Sequence, residues 1–562
     1  KIILVACLII GAFFRLVNLS SMPLSDSEAG LANHSLQLLI GSEPSAGIDQ
    51  VFLANFQAIL FFIFGTGNYV ARSIPAFVGI LFISLPFVFR KLFSPGVKII
   101  LSFWIAVSPT FIALSRQINS SIILLFSLSL FFIFFYRKKP FLCALFLVIA
   151  LLSGKMFFLV ILPIFVAGIF FFLYQSRNTD QNITLTLNSI KNFSWQPFLV
   201  SLAFLYPILS TAFFIFPQHF SGAGYALNGF FDAWNIDTLL RLDEISRNIL
   251  FYEAAALLLG IPGLRLVWRK RPALGILILT LVLVSLVEIL LTETNIVEIS
   301  MLFVISLMVS GAFFISNLFY RRMGNSSKVI WLTLAAFSIA VFITLALLNL
   351  TRNALLEESN VFKFLLVLAG FILVSGALIL AGWVMGWKVA AESYQIVSLL
   401  VLLLFTLSAA SGAARFRTPN ENEILQLGKI PREANLLVSI LKSYSQWKNG
   451  DRYSLDVIVL GSHSESLAWA LRDFENVRYQ EIVPLDRNPD VIISPDDYLL
   501  ENSDQYSGEL IQWHKDVSWK SINLRDSIQW FFTRRIPQSA YNTYGYIVWV
   551  NHNLMPGLQT NQ

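Results

Sequence analysis

The sequence predicts a mostly α-helical protein that crosses a membrane about thirteen times and ends in a small α/β domain. Of its 562 residues, 56% are hydrophobic and 13% are charged, whereas soluble domains carry about 25% charged residues. Apolar runs long enough for the ~20 residues of a membrane helix recur as far as about Ala410 and then stop. We therefore expect a membrane domain at residues 1–412 and a soluble domain at residues 413–562.

Charge and cysteine usage exclude several classes of protein. The net charge of +6 comes from Lys and Arg residues scattered over short loops, so it does not indicate nucleic-acid binding. Cys7 and Cys143 both lie inside apolar runs, which argues against a disulfide framework or a cysteine metal site. The first apolar run lacks a small-residue cleavage pattern, so we expect it to be kept as a span.

The basic residues predict the orientation. With a cytoplasmic N-terminus, the loops on the inner side hold most of the Lys and Arg, as the positive-inside rule requires. An odd number of spans then places the C-terminal domain outside the cell, on a multi-pass protein of the plasma (inner) membrane. The predicted spans are residues 2–18, 70–89, 98–114, 120–136, 140–154, 156–174, 197–217, 248–268, 273–291, 299–319, 329–350, 362–386 and 393–412.

Two features leave the span count open. The apolar piece from Val51 to Phe64 has 14 residues, which is short for a crossing and favours an interfacial or re-entrant segment. The spans at 140–154 and 156–174 meet at Gly154 and Lys155, and merging them would reverse the side on which the C-terminal domain lies.

The loop after the first span contains the acids Asp26 and Glu28, directly before an amphipathic helix that includes His34. One interpretation is structural, because Ser25 or Asp26 could cap this helix with an acid in its first turn. The other is chemical. Moving a sugar from a lipid phosphate requires a carboxylate that deprotonates the acceptor. Asp26 is the first candidate for this base and Glu28 the second, while His34 is a candidate for substrate contact.

Three cations are predicted on the same side of the membrane as these acids. Arg116 lies between the third and fourth spans, Lys155 lies at the next outer turn, and Arg72 begins the second span. Each could be an interfacial anchor whose charged end reaches water. Each could also bind the phosphate of a lipid donor, which a guanidinium does through two parallel hydrogen bonds.

The order of several short motifs resembles a known family. The chain contains Arg15-Leu-x-Asn-Leu-Ser-x-x-Pro23-Leu-x-Asp26-x-Glu28-Ala29, then Ala71-Arg72-Ser-Ile-Pro75-Ala-Phe-Val-Gly79, then Ser108-Pro109 and Ser115-Arg116. Tyr252-Glu253 and Gly260-Ile-Pro-Gly263 follow in a later span. Over residues 10–320 this order resembles the GT-C superfamily of transferases that use polyprenyl-phosphate sugars. That superfamily includes protein O-mannosyltransferases, aminoarabinose transferases and prokaryotic family-39-like proteins.

The resemblance implies that the first-loop acid is the catalytic base or a metal-associated carboxylate. In this chain the resemblance implies that role for Asp26, with Glu28 beside it. The chain departs from the family at two points. It reads Asp26-Ser27-Glu28-Ala29 where the family has Asp-Glu-Ala, and Ser121 stands where the family commonly has an acid after Arg116. A divalent metal, Mg or Mn, is therefore left open as a cofactor.

The polar C-terminal region predicts a small α/β domain. A strand at Asp456 to Gly461, a helix at Ser464 to Phe474 and further strands at 477–483 and 490–494 are expected. Gly461 alone does not make a dinucleotide-binding loop. The stretch 519–551 is rich in aromatic residues and Arg, including Trp530, Arg534 and Arg535. It could return a helix and a strand to the sheet or cover the membrane domain.

Together these patterns predict a transferase that moves a sugar from a polyprenyl-phosphate-linked donor to a protein, lipid or glycan acceptor on the outer face of the membrane. Substrate contacts are expected from four residues, His34, Tyr225, Asp232 and Trp234. The alternative is a non-catalytic GT-C-like structural or assembly subunit of a cell-envelope complex, which would account for Ser121. A transporter or flippase is disfavoured because the chain shows no repeat of its first half and no acid in the middle of a span.

Overall fold

The structure of the protein, a computed structural model, describes most of the chain. The described residues are 2–41, 47–89, 92–177, 193–234, 242–320, 327–353, 360–416, 423, 425, 428–461, 463–482, 488–498, 505–517, 522, 526, 530 and 540–554. Arg534 and Arg535, which the sequence singled out, lie outside them.

The part that precedes residue 414 is helical. Its helices are α1 (Ile2–Leu16), α2 (Asp26–Ile40), α3 (Val51–Phe64), α4 (Asn68–Phe82), α5 (Leu85–Val88), α6 (Pro95–Val107), α7 (Pro109–Arg116), α8 (Ser121–Tyr136), α9 (Pro140–Leu151), α10 (Met156–Arg177), α11 (Trp195–Ser210), α12 (Gly222–Asp232), α13 (Leu242–Tyr252), α14 (Ala254–Lys270), α15 (Pro272–Leu291), α16 (Ile296–Ile299), α17 (Met301–Tyr320), α18 (Ser327–Asn353), α19 (Asn360–Met385) and α20 (Trp387–Ala413). A short 3₁₀ turn, Pro217–Ser221, precedes α12.

Each predicted span falls on one helix or on two consecutive helices. Among the described helices, six are long and apolar enough to cross a membrane, or seven if the bent pair α6 and α7 is one span. Six further apolar helices, α1, α3, α4, α8, α9 and α11, have 10 to 17 residues. The chain is therefore a multi-pass membrane protein, and the number thirteen stays a prediction.

Proline places several helix boundaries. Helices α6, α7, α9 and α15 each have Pro in the first turn, where the missing N–H is no loss because it would have no intrahelical partner. Ser108 precedes Pro109 and is extended, with φ −66° and ψ 125°, because proline disfavours helical geometry in the residue before it. Helices α6 and α7 therefore meet at an angle of 54°.

Helix α2 begins with a capping box. The Ser25 hydroxyl accepts from the Glu28 N–H at 3.4 Å, and Glu28 Oε2 accepts from the Ser25 N–H at 3.1 Å. The predicted helix cap is thus confirmed, with Ser25 as the capping residue. The helix ends at Gly41, whose left-handed φ of 77° is the conformation that glycine adopts without strain.

The C-terminal part is an α/β domain with a five-stranded sheet. It contains α21 (Ala434–Asn449), β1 (Asp456–Leu460), α22 (Glu465–Leu471), β2 (Asn476–Gln480), β3 (Val491–Pro495), β4 (Tyr506–Val517) and β5 (Tyr541–Asn551). The strand order is β2-β1-β3-β5-β4. Strands β2 and β3 run parallel to β1, and β5 runs antiparallel to β3 and β4. The sequence predicted β1, α22, β2 and β3, but it did not predict β4.

The polar tail also reaches the helical part. Trp530 is fully buried, and its ring lies 5.5 Å from that of Phe251 and 6.3 Å from that of Tyr252, edge-on in both cases. Of the alternatives predicted for residues 519–551, the described residues show the strand, since β5 joins the sheet, and one aromatic contact with the helices, that of Trp530.

Candidate functional site

Glu28 forms a buried ion pair with Arg72. Its carboxylate accepts from Arg72 Nε at 2.8 Å and Nη2 at 2.7 Å, and from the backbone N–H of Ile118 at 3.0 Å. Glu28 and Arg72 are both buried. The other Arg72 donors bind backbone oxygens of the preceding loop, those of Leu19, Met22 and Pro23. Burial disfavours the charged carboxylate, but the Arg72 guanidinium outweighs it and lowers the pKa of Glu28 to about 2.

Arg116 binds the C-terminal end of α1. Its Nη1 and Nη2 donate to the last carbonyl oxygens of that helix and the turn after it, those of Phe14, Arg15, Val17 and Asn18. Such oxygens have no partner within the helix. The Arg116 side chain is 3% exposed. The acid Glu28 and the cations Arg72 and Arg116 therefore come together, as the sequence predicts for a site, but in a buried cluster that is not open to water.

The phosphate-binding roles predicted for Arg72 and Arg116 stay predictions. Each would require the guanidinium to release oxygen atoms of the protein that it now binds. Glu28 as a base would likewise have to be released, because five donors occupy its two oxygens. These contacts favour a structural role for all three residues.

Asp26 faces the C-terminal domain. Its Oδ1 accepts from the Ser466 hydroxyl at 2.5 Å and from the Ser466 N–H at 3.2 Å, and its Oδ2 lies 3.0 Å from His514 Nε2. Burial alone raises the pKa of Asp26, but the contacts with His514 and Ser466 outweigh it and lower the pKa below its ordinary value. The carboxylate is thus ionised at neutral pH and held between α22 and β4.

Further contacts fix the same docking surface. Asn33 Nδ2 donates to Glu465 Oε2 at 2.7 Å and to the Glu465 backbone oxygen at 3.0 Å. Trp469 Nε1 donates to Asn68 Oδ1 at 2.9 Å. Helix α22 therefore packs along α2, on the face that carries Asp26 and Asn33.

A second group of polar residues lies where several helices begin. We call Asp49, Ser121, Lys155 and Glu298 the Lys155 cluster. Asp49 Oδ2 accepts from the Lys155 N–H at 3.3 Å, and Glu298 Oε1 accepts from the Ser121 hydroxyl at 3.2 Å. Lys155 and Asp49 both interact electrostatically with Glu298. These residues bring together the first turns of α3, α8, α10 and α16.

Gly154 lets the Lys155 cluster form. Its φ is +88°, a value that other residues adopt only with strain. A Cβ at this position would lie 2.9 Å from Asp49 Oδ2. Any other residue at 154 would therefore push the Asp49 carboxylate away from the start of α10.

A cavity of about 580 Å³ lies beside the Lys155 cluster. Its walls include His34, Ile48, His219 and Tyr225. Tyr225 and Gly229 are four residues apart on α12, hence on one face of that helix, and a Cβ at Gly229 would lie 3.4 Å from the Lys155 side chain. Ile48 also directly precedes Asp49. The cavity and the Lys155 cluster are therefore neighbours.

Hydrogen bonds fix the protons of the two histidines in this cavity. Asn55 Nδ2 donates to the backbone oxygens of Leu209 and Ser210, so Asn55 Oδ1 is an acceptor, 2.9 Å from His219 Nδ1. His219 therefore carries its proton on Nδ1, and its Nε2 accepts from His34 Nε2, 3.2 Å away. Burial and the neighbouring His219 lower the pKa of His34 to about 4. Burial also lowers the pKa of His219, so both rings are neutral at pH 7.

The other predicted substrate residues lie along α12. Tyr225 lines the cavity, whereas Asp232 is exposed at the end of the helix. The Trp234 ring packs edge-on against Phe230 at 6.0 Å, and Phe230 lies 6.0 Å from Phe158 of α10. The Trp234 indole N–H is buried without an acceptor among the described residues.

The described residues contain no group of three or more His, Cys, Asp or Glu that could hold a metal ion. The Mg or Mn left open by the sequence therefore has no site among them and stays a prediction.

Comparison with known proteins gives the fold. No protein-family model matches the chain, and no curated protein matches its sequence. The chain is similar to the crystal structure of ArnT from Cupriavidus metallidurans bound to undecaprenyl phosphate, with a TM-score of 0.57 and 12% identity over 99% of both chains. It is similar to the apo state of ArnT, with a TM-score of 0.53 and 13% identity over 98% of both chains.

A third solved structure is more distant. The archaeal oligosaccharyltransferase AglB from Archaeoglobus fulgidus, in complex with an inhibitory peptide and a dolichol phosphate, gives a TM-score of 0.45 and 14% identity over 88% of this chain and 69% of that chain. ArnT, an aminoarabinose transferase, is a GT-C glycosyltransferase. The likeness to ArnT shows that the chain has the GT-C fold, as the order of motifs implied.

Proposed function

We propose that this protein is a membrane glycosyltransferase that moves a sugar from a polyprenyl-phosphate-linked donor to an acceptor on the outer face of the plasma (inner) membrane. The observation that carries the proposal is the likeness to ArnT from end to end of both chains, including the C-terminal domain. The ArnT crystal structure contains undecaprenyl phosphate, a lipid of the class that the donor requires. The positive-inside rule puts the C-terminal domain on the outer side.

Lys155 is the donor's phosphate ligand in this proposal. Its ammonium group is partly exposed and makes no ion pair or hydrogen bond with the described residues. It stands at the start of α10, where the helix dipole also favours an anion. Arg72 and Arg116 lack this freedom, because all three nitrogens of Arg72 and both terminal nitrogens of Arg116 already bind protein oxygens, and the remaining Arg116 Nε is buried.

The sugar fits the cavity beside Lys155. A volume of about 580 Å³ lies within the roughly 300 to 1,000 Å³ of small-molecule sites. The neutral ring of His34 offers its Nδ1 as an acceptor for a hydroxyl group, since its Nε2 is bonded to His219, and Tyr225 offers an aromatic face. Asp232 and Trp234 lie farther along α12, where an acceptor could contact them.

The reaction requires one displacement. An acceptor hydroxyl oxygen bonds to the anomeric carbon while the bond from that carbon to the phosphate oxygen breaks. The polyprenyl phosphate leaves with the bonding electrons, and a carboxylate takes the acceptor's proton. Asp26 is the base that the sequence predicts, and this role requires Ser466 and His514 to release it.

The experiment is a transfer assay on the full chain in lipid nanodiscs, with undecaprenyl-phosphate-linked sugars and protein, lipid and glycan acceptors. We expect transfer by the wild type. Lys155→Met should bind undecaprenyl phosphate about tenfold or more weakly, since it loses a charge-assisted contact. The control is Lys139→Met, because Lys139 is exposed at the start of α9. Wild-type protein that neither binds undecaprenyl phosphate nor transfers sugar would refute the proposal.

One observation favours the second candidate function, a non-catalytic subunit of a cell-envelope complex. Both oxygens of Asp26 and both oxygens of Glu28 are engaged within the protein. Undecaprenyl phosphate binding of normal affinity, without transfer from any donor in the panel, would support this function over the transferase.

A further inference from the structure

The proposed transfer needs a carboxylate that is free to take a proton. We infer that Glu298 is this catalytic base, an inference that rests on the proposed function. Glu298 does not stand out in the sequence, because a charged residue at a membrane boundary is tolerated there without a function.

Glu298 has one occupied and one available oxygen. Its Oε1 accepts from the Ser121 hydroxyl at 3.2 Å, and its Oε2 accepts no hydrogen bond from the described residues. The side chain is partly exposed. Ser121 thus orients the carboxylate and leaves its second oxygen to react.

Three acids outside the Lys155 cluster are less available. Glu28 forms a buried ion pair with Arg72, and the two oxygens of Asp26 contact Ser466 and His514. Glu253 is buried and accepts from the Ser108 hydroxyl at 2.7 Å and from the Thr110 N–H at 3.1 Å. Among these carboxylates, Glu298 is the one with an open oxygen in the Lys155 cluster. Asp49, the other acid of that cluster, accepts from the N–H of Lys155 itself.

Helix α12 holds the three parts of the site together. Near its start Tyr225 lines the cavity, and one turn later Gly229 packs on Lys155. After its end the backbone pairs with the segment that leads into α16, through a bridge between Trp234 and Thr292 and a 2.8 Å bond from Glu293 N to the Ala233 oxygen. The cavity and the cation therefore lie along α12, and the end of α12 is bonded to the segment that leads to the carboxylate.

Helix α16 is itself anchored. Asn295 caps it, with Oδ1 accepting from the Val297 N–H at 3.0 Å. Glu298 lies in its first turn. The carboxylate therefore stands on a short helix fixed at its beginning by a cap and at its entry by α12, as a base must be held to act on one hydroxyl group.

The step balances as follows. The acceptor oxygen forms a bond to the anomeric carbon and its proton passes to Glu298 Oε2. The bond between that carbon and the phosphate oxygen breaks, and its electron pair leaves with the polyprenyl phosphate, whose negative charge Lys155 stabilises. Ser121 is a positioning residue, since it acts through Glu298 Oε1.

The test compares Glu298→Gln with wild type in the nanodisc transfer assay. We expect kcat to fall roughly 100-fold or more, as for loss of a general base, with undecaprenyl phosphate affinity within about threefold of wild type. The acidic limb of the wild-type pH profile should disappear in the variant. Glu475→Gln, a change in an exposed acid of the C-terminal domain, is the control and should keep wild-type activity.

The possible results distinguish the proposed transferase function from the role of Glu298 within it. A wild type without transfer refutes the proposed function and this inference with it. An active wild type whose Glu298→Gln variant keeps kcat within about threefold refutes only the role of Glu298. Should the amide variant fail to fold, Glu298→Asp keeps the charge and withdraws the carboxylate by one methylene group, and kcat should then fall about tenfold or more. Unchanged kcat in that variant refutes the inference as well.

Discussion

At the scale of single residues, the motifs that carry the family resemblance are mainly structural. Arg116 donates to the last carbonyl oxygens of α1. Arg15 donates to those of α6, from Ile105 and Ala106, and to the Ser115 hydroxyl. Carbonyl oxygens at a helix end have no intrahelical partner, and leaving them unpaired in the interior of a membrane protein is expensive. Arginine at these positions therefore indicates how the helices are joined, which explains why these motifs indicate the fold.

Glu28 gives the sharpest prediction for stability. Glu28→Gln removes the negative charge and leaves Arg72 buried without its counter-ion, which should lower the free energy of unfolding by about 3 to 5 kcal/mol. The measurement is denaturation in detergent followed by tryptophan fluorescence, with the exposed Glu475→Gln as control. An unchanged midpoint in Glu28→Gln would contradict the structural role.

The same residue predicts a dependence on pH. The folded-state pKa of Glu28, about 2, lies below the ordinary value of about 4.3. Its contribution is therefore complete above about pH 4.3 and is lost as the pH falls through about 2. Wild type should lose stability across that window by more than Glu28→Gln does.

Contacts between residues that are close in the sequence could be predicted from it, whereas contacts between residues that are far apart could not. The cap of α2 was predictable because Ser25 and Glu28 are three residues apart. The partner of Ser121 was not, because Glu298 lies 177 residues away along the chain. The engagement of Asp26 by Ser466 spans 440 residues and has no sequence signal either.

At the scale of elements, two of the predicted spans that fall on consecutive helices are broken at positions that contact each other. Residues 98–114 include the bend at Ser108, and residues 248–268 include the break at Glu253 between α13 and α14. The Glu253 carboxylate accepts from the Thr110 N–H in the first turn of α7, a group that a helix start leaves without a partner. Proline marks the first break in the sequence, but the pairing of the two breaks is visible only in three dimensions.

Helices α14 and α17 pack so closely that a larger side chain between them should lower the stability of the protein. A Cβ at Gly263 would lie 2.2 Å from the Ser310 backbone oxygen, and the Ser310 hydroxyl donates to the Gly260 oxygen at 2.9 Å. Small residues let helices approach this closely in membranes. Gly263→Ala should therefore force the helices apart and lower stability by about 1 to 3 kcal/mol, as measured by thermal unfolding.

Gly168 on α10 is the control for this change, since a Cβ there meets nothing within 4 Å. Gly168→Ala should leave stability unchanged or raise it by up to about 1 kcal/mol, because alanine favours the helix. Equal effects at the two glycines would show that backbone propensity, and not the contact between α14 and α17, decides the result.

At the scale of the whole molecule, the C-terminal domain docks on α2, the helix that begins with Asp26. Asp26 is the acid that the sequence predicts to be the catalytic base. Trp469 anchors this contact. It is 3% exposed, its Nε1 donates to Asn68 Oδ1, and its ring lies 5.7 Å from that of Phe61 and under the Arg472 guanidinium. The domain thus closes over Asp26, whereas the transfer site that we propose is built around Lys155.

Trp469→Ala should loosen this docking. Truncating a buried Trp costs about 3 to 5 kcal/mol, and the lost contacts join α22 to the helical part. We expect faster hydrogen–deuterium exchange in α22 and, across the interface, in the first turns of α2 around Asp26. Trp447→Ala is the matched control, because Trp447 is 54% exposed on α21 of the same domain, and it should leave exchange in α2 unchanged. If Trp469→Ala altered exchange within the C-terminal domain alone, the contacts of Asp26 with Ser466 and His514 would be independent of the Trp469 anchor, and the two parts of the molecule would not be coupled through this surface.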